Sequence, residues 1–570
     1  MTTPEREGNF EKGNELAHSG KAPVRVALLI DSYFQPRWRY KIVSDLLSSS
    51  FASLVLIIKN DVPEERERTY SEKIRSIFGQ RGYFLYKVYS KLDDLLFKGE
   101  PDAFEKVSIE PLVARIPHIE IKPLKRKFSD EFSTEDAELI RQHRLDVALR
   151  FGFRILKGQA LKLAKYGVWS YHHGDNLQYR GGPPSFWEVM NGDPATGAIL
   201  QILTDELDNG HVIYRSFAQT DQRSVRRNAN NYFWQSSAFV ERKLRDLYNM
   251  GSCALKDPLQ AGWTPYSNGL YKAPTNLVMS RLLVRFIRRY LASKTKNFFH
   301  FRQWFLAYRI NPNGITLDDT FYRFKRLVPP KDRFWADPFP LKRDGKFYIF
   351  FEELLYKTGK GHLSVIEVDQ QGIVDGPHKI LERPYHLSYP FIFHWNGDLY
   401  MVPETSKART VELYRCTSFP DKWELKKVLL HDLHAVDATL VEIEDEWWMF
   451  VSVEAESTKF LYELHLYHAD SPLGPWQPHS SNPVRPDALS SRPAGRIISR
   501  NGSYYRPAQE GPGYCMSIQK IERLDREGYL ETEVCKIGPS WAKKLIGTHT
   551  LNSSDGLTVI DGLMHRRRHF

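Results

Sequence analysis

The stretch ADPFPLKRDGKFYIFFEE (336–353) reads as a strand, a two-residue turn and a second strand, and it decides the fold of the C-terminal half. Its Asp344-Gly345 pair is a strong hairpin signal, because a two-residue turn between twisted strands needs positive φ at both central positions. The pattern returns as SYPFIFHWNGDLYMVPET (388–405), VDATLVEIEDEWWMFVSV (436–453), SRPAGRIISRNGSYYRPAQ (491–509) and THTLNSSDGLTVIDG (548–562). The turns are Asn396-Gly397, Glu444-Asp445, Asn501-Gly502 and Asp555-Gly556, with successive spacings from Asp344 of 52, 48, 57 and 54 residues. A four-strand blade fits that length, so an all-β five-bladed propeller is predicted over 301–570; a β-sandwich with regular hairpins is the competing arrangement. The last repeat supplies only two strands. RQWFLAYRI (302–310) and FYRFKRLV (321–328) are expected to complete it, which would close the ring and remove an exposed edge.

Upstream the pattern differs. VRVALLID (24–31), SLVLIIKND (53–61), RIPHIEIKP (115–123) and LDVALRFG (145–152) are apolar runs suited to strands buried on both faces. YKIVSDLLSSS between the first two has helical spacing, and STEDAELIRQHR (133–144) opens like a capped helix. Alternation of this kind predicts an α/β open, mostly parallel, Rossmann-like sheet over 23–260, with ligands beyond the carboxyl ends of its strands. No GxGxxG follows the first strand, so a dinucleotide is not expected. Residues 1–22 read as a disordered tail and 261–300 as a linker holding a basic amphipathic helix. That helix is expected either to pack between the domains or to make peripheral membrane contact through residues 277–295.

Composition narrows the class. With 80 Lys+Arg and 69 Asp+Glu in 570 residues, the net charge of +11 does not call for a nucleic-acid partner. Four scattered cysteines argue against a disulfide framework. Neither a leader peptide nor a membrane span is evident, so a cytoplasmic location is expected.

The densest chemistry lies in 146–215. A strand ending in SYHHGD and a later acidic turn are expected to put Ser170, His172, Asp205 and Asp208 on one edge of the sheet, the usual stock for acid–base work. The adjacent His173 and Asp175 could join His172 at a metal, but neighbouring residues rarely all point inward, and no metal is expected.

This stretch resembles the 10-formyltetrahydrofolate-dependent formyltransferases. The resemblance rests on SYH (170–172), YRGGPP (179–184), FWEVMNGD (186–193), Thr196-Gly197 and DELDNG (205–210), and it extends weakly over 24–250. It implies His172 and Asp208 as catalytic residues, with Ser170 standing where the family has asparagine. It implies that Arg150, Phe151, Gly152, Phe153, Ile155, Asp205 and Leu207 contact 10-formyltetrahydrofolate, and that Tyr179, Arg180 and Gly181 form a lip over the acceptor amine. The propeller resembles those of arabinan- and xylan-cleaving glycosidases and one that accompanies a plant glucosamine-transferring enzyme. First strands of blades line a propeller's central tunnel, so the repeat places Asp337, Tyr389 and Asp437 near the axis, where they are expected to contact substrate, with Arg492, Arg496 and His549 close by; the resemblance implies that Asp337 and Asp437 are two members of an acidic triad. A third acid is not placed, since Glu404 and Glu510 fall at second-strand ends. The expected function is N-formylation of an amino sugar, either a small molecule or part of a glycan, held by the propeller. The alternative is a glycan-binding or glycan-cleaving propeller whose formyltransferase-like domain has changed or lost its activity.

Overall fold

The computed structural model describes residues 21–61, 81–205, 210–255, 269–311, 321–454, 462–511 and 514–568. The N-terminal unit is a seven-stranded sheet of β1 (Val24–Ile30), β2 (Ala52–Asn60), β3 (His118–Ile121), β4 (Val147–Arg150), β5 (Val168–His172), β6 (Ala195–Ile202) and β7 (His211–Gln219), in the order β7-β6-β5-β4-β1-β2-β3. The first five strands pair in parallel, and β6 and β7 run antiparallel. The chain order reverses between β1 and β4, so the crevice that such sheets use for ligands opens beside Ile30 and Arg150.

Helices cover both faces. In α1 (Arg37–Ser48), Trp38, Ile42, Val43 and Leu46 make one apolar face against the sheet. α3 (Thr134–Arg141) lies in the opposite core through Ala137 and Ile140, and Ser133 caps it by accepting from the Asp136 amide at 3.0 Å. Between them in sequence is α2 (Phe84–Leu96). α4 (Phe186–Asn191), α5 (Val225–Ser236), α6 (Ala238–Met250) and the 24-residue α7 (Asn276–Phe299) follow.

The C-terminal unit contains five antiparallel sheets. Four are built from the strands of 333–381, 388–431, 435–478 and 492–537. The fifth joins the two ends of the unit: His300–Ile310 pairs with Leu557–Arg567 over its full length, and Lys325–Leu327 adds to its outer side. All five predicted turns have both central residues at positive φ. The sheets form a ring. Phe339 meets Tyr389, the Tyr389 hydroxyl meets Thr439 at 2.7 Å, and Ser452 donates to the Ser491 carbonyl. The Leu551 amide then donates to the Ala494 carbonyl, and Asn552 donates to the Pro338 carbonyl. This is the connectivity of a five-bladed propeller.

The two units touch along β7 and α6. The Ala488 amide donates to the Phe217 carbonyl at 2.9 Å, and Arg242 bonds Glu463 at 2.8 Å.

Candidate functional site

The loop after β4 crosses the end of β1. The amides of Phe151 and Gly152 both donate to the Leu29 carbonyl, and the Phe153 amide donates to Asp31 at 2.7 Å. A Cβ on Gly152 would sit 2.3 Å from the Asp31 nitrogen, so only glycine allows this approach. Phe151 and Phe153 do not present their rings to a ligand as the sequence reading had them. Each is 6% exposed, Phe151 packing near Trp38 and Phe153 against Phe132. The loop's amides and most of its carbonyls are bonded within the protein, and Ile155 is half-buried beside it.

Arg150 is the side chain that organises this loop. Its guanidinium donates to the carbonyls of Phe153 and Arg154 and, at 3.0 Å, to the buried Ser170 hydroxyl oxygen. Arg39 lies close by and donates to the Phe151 carbonyl. Burial, and then the neighbouring Arg150 charge, lower its pKa to about 10. Two guanidinium groups thus flank the loop after β4, and Arg150 links it to Ser170 within β5.

Ser170 and His172 alternate along β5 and share a face. His172 Nε2 lies 3.1 Å from the Tyr179 carbonyl, which can only accept, so Nε2 carries a proton. His173 faces the other way. Its ring stacks on Phe233 at 3.7 Å, and burial drives its pKa well below the usual histidine value. Asp175 is ion-paired to Arg215. The three neighbours therefore do not converge on a metal.

Asp205 requires a correction. β6 runs antiparallel to β5, with Ile202 opposite Trp169, so the segment leading to Asp205 leaves the sheet where β5 begins, not where His172 lies. Asp205 accepts from the Gly158 amide at 3.3 Å. Leu207 and Asp208 lie outside the described residues, as do residues 1–20 of the expected tail.

The expected lip is a pinned loop. The Gly182 amide donates to the Tyr271 carbonyl, the Tyr271 amide donates to the Arg180 carbonyl, and the Tyr179 hydroxyl is bonded by Asp193 and Asn191. Gly181 has φ +89°, and a Cβ there would lie 2.3 Å from the Tyr271 oxygen. Gly181→Ala should therefore displace this loop and cost about 1–3 kcal/mol, read as a lower denaturant midpoint with an unchanged slope. Beneath the loop, burial followed by the Asp193 and Asp175 charges pushes Glu188 of α4 up to about 7.

The ring builds a second polar centre. Asp337, Tyr389 and Asp437 occupy the same place in three blades, each in a bulge of the first strand and each at positive φ (52°, 45° and 55°). Bulges re-aim side chains, and three at one level are strain concentrated on the axis. The Tyr389 hydroxyl is taken up by Thr439 and the Gly495 amide, so it braces the ring. Asp437 is fully buried. Its Oδ2 accepts from Arg492 and Gln509, and its Oδ1 has no partner among the described residues.

Glu404, set aside in the sequence reading, turns into this centre. It accepts from Ser388 at 3.1 Å and lies 3.6 Å from Arg492. The strand register gives the reason. Glu352, Glu404, Ser452 and Gln509 occupy one column of the second strands, opposite Ala336, Ser388, Val436 and Arg492. Glu510 is one residue out of register and faces Lys536. Aligning the repeats by their turns would have shown this column.

Burial pushes Asp337 up to about 7 and Glu404 up to about 8, and in each the nearby carboxylates add to the effect of burial. His549 stacks on Trp304 at 4.0 Å and bonds Asp561. Burial opposes its charge, but Asp561 and Asp337 hold its pKa up to about 9. Ligand atoms of Asp337, His549 and Asp561 lie within 4.8 Å of one another, a set that could hold an ion, although the imidazolium already supplies positive charge there. Arg496 lies over Phe339 and Phe391, with its pKa lowered to about 10 by burial.

The shifts of Asp337, Glu404 and His549 share one sign. These groups bind more protons in the folded state than in the unfolded chain, so their contribution to stability should fall as pH rises from about 7 to 9, above the range in which buried His173 opposes them. Denaturant midpoints measured over that window should decline. Glu404→Gln should remove up to about one proton from the slope.

A formyltransferase-like α/β unit joined to a ring of β-sheets is thus the class that fold and site define. Residues 328–549 match the family model "Glucosamine inositolphosphorylceramide transferase 1, N-terminal". Glucosamine inositolphosphorylceramide transferase 1 of Oryza sativa subsp. japonica is 37% identical over 218 residues, covering 37% of this chain and 29% of that protein. This chain therefore spans less than a third of that relative's length. Methionyl-tRNA formyltransferase of Bacteroides fragilis is 28% identical over 147 residues, 25% of this chain and 43% of that protein. A thermostable family-43 glycoside hydrolase of known structure aligns at 13% identity with a TM-score of 0.27, covering 36% of this chain and 75% of that one.

Proposed function

We propose that this protein is an N-formyltransferase that moves the formyl group of 10-formyltetrahydrofolate onto the amine of an amino sugar, with the ring of sheets holding the carbohydrate. The observation that carries this reading is the Arg150–Ser170 hydrogen bond beside the end of β4, with His172 on the same face two residues further along β5, in a chain that is similar in part to methionyl-tRNA formyltransferase. Similarity of the ring to the N-terminal region of a glucosamine-transferring enzyme supports an amino-sugar acceptor, because glucosamine carries the required amine.

The neutral amine attacks the formyl carbon, and the C=O electrons move onto oxygen. Arg150, the Ser170 hydroxyl and His172 supply donors to that developing oxyanion. Asp208 accepts the amine proton. The oxyanion re-forms the C=O as the bond to the folate nitrogen breaks, and the proton taken by Asp208 passes through His172 to the leaving amine, which restores both residues. The test is tetrahydrofolate release from 10-formyltetrahydrofolate with a panel of glucosamine-bearing acceptors. Release that requires an amino sugar supports the reading; no release with any amine, together with no thermal protection by folate, sinks it.

A second reading is favoured by Asp337, which is buried, and Glu404, which is half-buried, two carboxyls held near neutrality beside Asp437. Such a pair suits glycoside cleavage, in which one carboxyl donates a proton and another acts as base or nucleophile. Reducing-sugar release that is lost in Glu404→Gln would favour it.

A further inference from the structure

The long helix α7 has two apolar faces and one of them has no partner among the described residues. Met279 and Leu282 are buried against Phe186 and Met190 of α4, with Leu283 and Phe286 packed alongside. Arg289 donates to the Val189 and Met190 carbonyls, capping the end of α4. The other face carries Leu277, Val284, Ile287 and Leu291, spaced at i, i+7, i+10 and i+14, each more than half exposed. That spacing is a continuous helical stripe.

α2 starts beside α7. Asn276 at the start of α7 accepts from the Leu85 amide and donates to the Arg81 carbonyl. α2 turns Tyr86 and Tyr89 toward α4, while Phe84, Val88, Leu92, Leu95 and Leu96 are exposed. Apolar exposure on this scale marks an interaction surface.

The charge around these stripes has one sign. α7 contains no Asp or Glu; Arg281, Arg285, Arg288, Lys294 and Lys296 are exposed along it. Lys91 is exposed on α2, where the acids are Asp93, buried and bonded to the Arg226 amide, and Asp94, facing Arg226 at 3.9 Å. No helix among the described residues is long and apolar enough to cross a membrane. An apolar stripe rimmed by arginine is the chemistry of a helix that lies in the interface of an anionic bilayer.

We infer that the exposed faces of α2 and α7 dock this protein on an anionic lipid surface, the apolar stripe entering the acyl boundary and the arginines meeting lipid phosphates. The inference does not rest on the reaction proposed above, because vesicle binding needs neither folate nor amine.

The experiment is co-sedimentation of the full chain with vesicles of phosphatidylcholine alone or with about a third phosphatidylserine, at low and high salt. Binding should require the anionic lipid and weaken with salt. It should drop by at least tenfold in Ile287→Glu/Leu291→Glu, and about fivefold for each charge lost in Arg281→Gln and Arg285→Gln. Thermal midpoints should stay unchanged. Equal binding to both vesicles, or to neither, overturns the inference. Light scattering that shows a dimer dissociated by Ile287→Glu assigns the face to a second copy instead. A midpoint lowered by several degrees in the glutamate variant assigns it to another segment of this chain.

Discussion

Arg150→Met is expected to lower kcat for formyl transfer by about a hundredfold or more, with a smaller effect on KM. In the reaction proposed above, Ser170 offers a short hydroxyl at the position where the formyltransferases it resembles carry an asparagine. Arg150 sits 3.0 Å from that hydroxyl and brings a planar, multi-donor guanidinium to the same place. Losing one oxyanion donor costs roughly 10²–10³ in rate. The same side chain also holds the Phe153 and Arg154 carbonyls, so a purely structural role must be separated from a chemical one. A structural role would raise KM for the folate and lower the denaturant midpoint while sparing kcat. Ser170→Asn should restore part of the rate in the Arg150→Met background. His172→Asn should lose about 10²–10⁴, the usual contribution of a general acid or base. Unchanged kcat in Arg150→Met would remove Arg150 from the chemistry.

Arg492→Met is expected to abolish carbohydrate retention by the ring and to cost about 1–3 kcal/mol of stability. Asp437 is fully buried and Arg492 is the cation that meets it, so removing the arginine strands a carboxylate without its charge partner. Arg492 also faces Glu404, and both acids hold its pKa above the usual arginine value against the pull of burial. Its side chain is 38% exposed, which keeps the expected cost below the 3–5 kcal/mol of a fully dry pair. Replacing both partners, as Arg492→Met with Asp437→Asn, should recover most of the stability but not the binding. Urea midpoints and glycan-affinity chromatography would read the two effects separately. Recovered binding in the double variant would show that the charges serve the fold alone.

The division of the chain was legible in the residues because its causes are local. Two-residue turns need positive φ, and Asp-Gly, Asn-Gly and Glu-Asp stand at all five positions that adopt it. Apolar runs such as Val24–Ile30 have one stable home, a strand covered on both faces. Even the completion of the fifth sheet by His300–Ile310 followed from the counting of strands. What sequence could not reach was direction and depth. The antiparallel course of β6, which carries the segment to Asp205 away from His172, is a choice of strand order made by the whole sheet. The aromatic rings of Phe151 and Phe153 look available in sequence, but they are claimed by two cores on opposite faces. Glu404 sits at a second-strand end and becomes an axial acid only because the register of its blade aligns it with Glu352 and Gln509. Pairing a residue with its sequence neighbours is a short-range property. Bringing Asp337, Glu404, Asp437 and Arg492 within reach of one another requires five sheets to close a ring, and only the tertiary structure decides that.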